Sequence, residues 1–123
     1  MVEADAVGSE GEKMNEEAEK LKGFLFRIID EHKTACRKHP KFCDMLVDKQ
    51  TDWNRLESIM KSRNDEYAPP YYGENILLEE VAEAFNAYSQ GKLEQSLQEF
   101  AQCGAVILRI MEKIDEKGKA KNG

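Results

Sequence analysis

The sequence predicts an all-α fold with a four-helix, bundle-like architecture, on three observations. Apolar residues recur at threes and fours along most of the chain. Windows with the strict apolar/polar alternation of a half-buried strand are few. Only Pro40, Pro69 and Pro70 punctuate 123 residues, a length that suits one domain with a core of its own.

Residues 1–13 carry Gly8, Gly11 and several acids with almost nothing to bury, so a disordered tail is expected ahead of a single domain over 14–116. From about Asn15, the residues Leu21, Leu25, Ile28, His32, Ala35 and Cys36 share one helical stripe. Pro40 should end this helix near His39, because it disfavours helical geometry in the residue before it. After a short apolar stretch over 42–47, Thr51 and Asp52 offer an N-cap for a second helical region containing Trp53, Leu56, Ile59 and Met60, as one bent helix or two short ones. Residues 64–73, with Pro69, Pro70, Tyr67, Tyr71 and Tyr72, read as a loop. Asn75 can cap a third helix that runs to about Gln90, where Gly91 supplies the stop. A fourth runs from about Leu93 to Glu116, and 117–123 should fray. So short a connection makes helices three and four an antiparallel hairpin, with helices one and two flanking it.

Charge narrows the possible ligands. Lys and Arg total 18 against 24 Asp and Glu, and the net charge of −6 repels phosphate backbones, which argues against a nucleic-acid polymer as partner. A phosphate ligand would need a cation to bridge it. No apolar run approaches the roughly 20 residues of a membrane span, so no membrane partner is expected. Cys36, Cys43 and Cys103 are an odd, sparse set, and the N-terminus lacks the order of a secretory leader; reduced thiols and a cytoplasmic location are expected.

The chemistry concentrates in Glu79-Glu80-Val81-Ala82-Glu83 and, on the next helix, Glu99-Phe100-Ala101-Gln102. On a helical wheel the apolar centre of helix three lies among Leu77, Val81, Ala84, Phe85 and Tyr88. Glu80 and Glu83 lean toward it, whereas Glu79 points away. Glu99 and Gln102 stand on one margin of helix four. An antiparallel hairpin would gather Glu80, Glu83 and Glu99, with Gln102, around one point, where the carboxylates repel unless a hard cation neutralises them. Magnesium suits such a site, since it takes oxygen ligands, keeps waters and bridges to substrate phosphates. Against this stands the ordinary reading, in which surface helices of an acidic protein carry glutamates at helical spacing by chance.

The stretch over 76–114, with LLEEVAEAFNAY and EFAQCGAVILRI, resembles the all-α nucleoside triphosphate pyrophosphohydrolases of the MazG-like superfamily, whose signature is EExxE, a spacer, then ExxD. Glu79, Glu80 and Glu83 match the first half; Glu99 matches the second, and Gln102 replaces its final Asp. The resemblance implies Mg²⁺, with Mn²⁺ as a possible substitute, carrying a nucleoside or deoxynucleoside triphosphate that is cleaved to monophosphate and pyrophosphate. It also implies a homodimer or homotetramer with sites near the subunit contacts. On this reading Glu80, Glu83, Glu99 and Gln102 hold the metal, and Glu79 or Glu83 acts as the base. Lys61, Arg63 and Arg109 are candidates to steady phosphates, and Tyr71 and Tyr72 to stack on a base. An amide at 102 adds no negative charge and cannot act as a base, so a catalytically silent helical oligomer that binds nucleotides or protein partners is the alternative.

Two other patterns carry ligand types. His32, Cys36, His39 and Cys43 form an H-x3-C-x2-H-x3-C string with donors that suit zinc, although histidines on an apolar stripe more often pack in a core or interface. A carboxylate-bridged iron or manganese centre would need Glu three residues before a His, and neither histidine has one.

Overall fold

The computed structural model describes residues 2–66 and 72–122. It contains α1 (Val2–Lys38), α2 (Trp53–Glu66), α3 (Gly73–Ser89) and α4 (Leu93–Asn122), with no strand among the described residues, so the fold is all-α. Met1–Phe42 and Cys43–Gly123 form two compact units.

The first unit is built on α1. Its helix begins at Val2, where a disordered tail over 1–13 was expected; Ala4, Ala6 and the glutamates of this segment are strong helix formers that outweigh two glycines. The end at Lys38 agrees with the stop set by Pro40. Most of the stripe is exposed: Leu25 and Ile28 are 43% and 40% accessible, His32, Ala35, Cys36 and His39 are exposed with them, and Leu21 is half-buried. A periodic pattern marks an apolar face without specifying what covers it, and the histidines expected in a core or an interface are exposed in the single chain.

The second unit stacks three helices, with α3 packed against both α2 and α4. Asp52 caps α2, its Oδ1 accepting from the Arg55 N–H at 3.0 Å, and α2 is one continuous helix. Residues 67–71, which include Tyr67, Pro69, Pro70 and Tyr71, lie outside the described residues. The cap expected from Asn75 is not formed. Tyr72 takes the N-cap position without a side-chain bond, and Asn75 lies inside the first turn with its N–H donating to Tyr72 O. At the other end Gly91 adopts φ +77°, a left-handed conformation costly to residues with a Cβ, and Lys92 N–H closes back on Ala87 O at 3.0 Å. That turn sets the register of the α3–α4 hairpin. α4 continues to Asn122, beyond the expected end near Glu116, with Lys119 Nζ 3.1 Å from Asp115 Oδ2 and lysines favourable at a helix C-terminus.

Packing in this unit relies on small residues. Ala82, Ala84, Ala87, Met60 and Cys103 are buried, and so are Asn86 and Ser96. Ser96 Oγ donates to Ala84 O at 2.9 Å, joining α4 to α3 near the turn. Trp53 stacks on Phe85 with ring centroids 4.7 Å apart, and Phe100 meets Phe85 edge-on at 5.0 Å, so one aromatic run crosses α2, α3 and α4.

Candidate functional site

Three carboxylates converge on the paired faces of α3 and α4. Glu80 and Glu83, one turn apart on α3, and Glu99 on α4 each present an oxygen, and these oxygens lie within 4.8 Å of one another. All three side chains are half-buried. Helical spacing supplies the first two, and the hairpin register fixed at Gly91 brings the third to them.

Electrostatics follow from this crowding. Burial, then a hydrogen bond with Glu99, then repulsion by Glu80 and Glu99 push Glu83 up to about 7, against a small opposing pull from Lys61. Glu80 is also raised, by burial first and then by Glu99 and Glu79. The thiol of buried Cys103 is raised by burial and by the same carboxylates, so it stays protonated beside them.

Gln102 closes the group. With its amide nitrogen turned toward the acids, an orientation set by the hydrogen-bond network, it donates to Glu80 Oε2 and Glu99 Oε2, each at 3.0 Å. The amide therefore stands against the carboxylates where a motif Asp would add a further charge. Glu79 does not point away from the core as the wheel suggests. It is half-buried and accepts from Asn64 Nδ2 at 3.1 Å, because α2 covers the side of α3 that a two-helix picture leaves in water.

The candidate cations divide. Lys61 Nζ lies 3.8 Å from Glu83 Oε1 and 3.6 Å from Glu57 Oε2, at the edge of the cluster. Arg63 lines a separate cleft with Tyr72, Glu74 and Asn75. Arg109 lies with Glu112, Lys113 and Glu116 further along α4, and ten residues of helix put it about 15 Å from Glu99. Neither arginine joins the carboxylates. Tyr72 is exposed, and Tyr71 lies outside the described residues.

Sequence reasoning missed a polar cleft of ≈ 250 Å³ that opens beside Glu83, lined by Asn54, Glu57, Lys61, Asn86 and Gln90 among others. Buried Asn86 is its hub. Its Nδ2 donates to Asn54 Oδ1 and Glu57 Oε2, both at 3.4 Å, and its Oδ1 accepts from Gln90 Nε2 at 3.2 Å. An Asn one turn after Glu83, on a helix otherwise lined with alanines, is the only local signal of this cleft.

Glu80, Glu83 and Glu99 could hold one divalent cation, since an all-oxygen, anionic donor set suits a hard ion that keeps part of its water shell. Comparison of the chain with protein-family models, with curated proteins and with solved structures gives no match.

Proposed function

We propose that the second unit carries out Mg²⁺-dependent hydrolysis of a nucleoside or deoxynucleoside triphosphate to the monophosphate and pyrophosphate. The observation that carries this reading is the convergence of the Glu80, Glu83 and Glu99 oxygens within 4.8 Å on two helices that share the EExxE and Glu99 pattern of the MazG-like pyrophosphohydrolases. Glu80, Glu83 and Glu99 would hold Mg²⁺, with Mn²⁺ as a substitute, and the ion would offset the charge of a triphosphate that a −6 chain repels. Gln102 orients Glu80 and Glu99 by donating to both. Glu83, or Glu79 anchored by Asn64, would accept a proton from water. Lys61 steadies Glu83, and the polar cleft beside it offers donors and acceptors to the rest of a nucleotide.

Gln102 favours a second reading, a helical oligomer that retains the scaffold for binding nucleotides or partners without turnover, because an amide supplies neither charge nor base at that position. Pyrophosphate release across a nucleotide panel with Mg²⁺ or Mn²⁺ separates the two. Turnover lost in both Glu80→Ala and Glu83→Ala supports hydrolysis. No turnover with any nucleotide leaves the silent scaffold, and turnover that survives both substitutions moves the chemistry away from this cluster.

A further inference from the structure

α4 carries an apolar stripe that its packing on α3 leaves largely bare. Leu93, Leu97, Phe100, Gly104, Ile107, Met111 and Ile114 alternate by four and three, which is the a/d spacing of a coiled coil over three heptads, with Leu97, Gly104 and Met111 at a. Ser96, Cys103 and Ile110, at g, turn to α3 instead: Ser96 and Cys103 are buried, and Ile110 Cγ1 lies 3.8 Å from where a Cβ on Gly73 would stand. Gly73 begins α3, so about three turns of α4, from Met111 to Asn122, run on past its end.

The stripe is large enough to need cover. Leu93, Leu97, Phe100, Ile107 and Ile114 are 59%, 67%, 37%, 38% and 64% accessible, which together exceeds two whole residues. At ~200 Å² for a large apolar residue this is ~500 Å², at the upper end of what a monomer leaves in one patch. With Glu94, Gln98, Ala101 and Leu108 flanking it, the face approaches the ~800 Å² that each partner of a standard interface buries.

Shape and charge select the occupant. Gly104 interrupts the stripe with a notch, since a Cβ built there meets nothing within 4 Å. Phe100, the bulkiest residue of the stripe, stands one turn before it. A second α4 laid antiparallel sets a against d, so that Phe100 of each copy covers Gly104 of the other, Leu97 meets Ile107 and Leu93 meets Met111. The two-fold axis then passes beside Ala101, and Ile114 in the overhang reaches the second copy's turn at Gly91. A parallel pair would set glycine on glycine and ring on ring, leaving a void beside an overfilled layer. Sliding the antiparallel pair by one heptad brings Glu94 against Asp115, two like charges, in one direction and uncovers Ile107 and Met111 in the other.

We propose that α4 is the surface through which this chain associates with a second copy of itself: two α4 helices pair antiparallel along the Leu93–Ile114 stripe, with each Phe100 seated on Gly104 of the other. Glu80 and Glu83 stand on α3 and Glu99 falls at c, off the seam, so the inference is independent of the pyrophosphohydrolase reading.

Analytical ultracentrifugation of the full chain at micromolar concentration should show a dimer. Gly104→Leu fills the notch with a better helix former and displaces nothing in its own chain, so helix content by circular dichroism should persist while association weakens about tenfold or more. Leu97→Glu, at the most exposed position of the stripe, should do the same, whereas Leu25→Glu on α1 should leave the dimer intact. Nitroxide labels fix the direction, in a Cys36→Ser, Cys43→Ser background that leaves buried Cys103 in place. Labels at Ala101→Cys should lie within ~20 Å of each other across the dimer, and labels at Glu116→Cys ~40 Å apart, from the helical rise on either side of the two-fold axis. A monomer at this concentration, a dimer that survives either Gly104→Leu or Leu97→Glu, dissociation by Leu25→Glu alone, or similar distances at the two labelled sites would each overturn the proposal.

Discussion

Replacing Glu83 by Gln should make the second unit more stable at about pH 8 and leave it almost unchanged at about pH 5. In the folded chain Glu83 is raised from 4.5 to about 7, which corresponds to about 3 kcal/mol of preference for the protonated carboxyl. Between these values the folded state binds more protons than the unfolded one, so stability falls as pH rises through the window; the favourable contribution is complete below 4.5 and gone above 7. Glu80, raised in the same direction, adds to the slope. A neutral amide removes the penalty of ionising Glu83. It also removes the charge opposite Lys61 Nζ at 3.8 Å, a half-exposed contact worth at most about 1 kcal/mol. The net gain at pH 8 is therefore about 1–3 kcal/mol. Trp53, the only tryptophan, stacks on Phe85 in this unit, so its fluorescence during urea unfolding with a chelator present follows the unit that holds the cluster. Equal pH slopes in the native and Glu83→Gln chains, or a loss of stability at pH 8, would refute the account.

Gln102→Asp exchanges two donated hydrogen bonds for a fourth carboxylate. It should lower stability at pH 8 in chelator and tighten Mg²⁺ binding by on the order of tenfold in calorimetry, and unchanged affinity would place residue 102 outside the ion's surroundings. Gly91→Ala forces a Cβ into φ +77° with no neighbouring atom to clash, so the cost should be backbone strain alone, about 1–2 kcal/mol by urea titration. A cost near zero would show that the α3–α4 turn relaxes out of the left-handed conformation.

What the sequence makes legible depends on how local the information is. Glu80 and Glu83 lie one turn apart, and Gly91 fixes the return of α4, so the meeting with Glu99 follows from about twenty residues of chain. Glu79 was misplaced because a wheel with one apolar centre assumes one neighbour, and α3 has two. A trace of this was present: buried Ala82 and Ala87 lie off the Leu77–Phe85 side, and small residues there let a second helix approach closely. The polar hub of Asn54, Glu57 and Asn86 was not readable, since each is an ordinary polar residue until α2 is laid against α3. α1 fails differently: its periodicity is clear, yet a pattern cannot name its cover, and the same stripe serves a core or a second chain equally well. The cations show where elementary geometry would have sufficed. Arg109, ten residues along one straight helix from Glu99, is about 15 Å away by helical rise alone and could have been set aside before any tertiary structure was known. Lys61 and Arg63 both needed the packing of α2 on α3 to be placed, the first beside Glu83 and the second in a separate cleft.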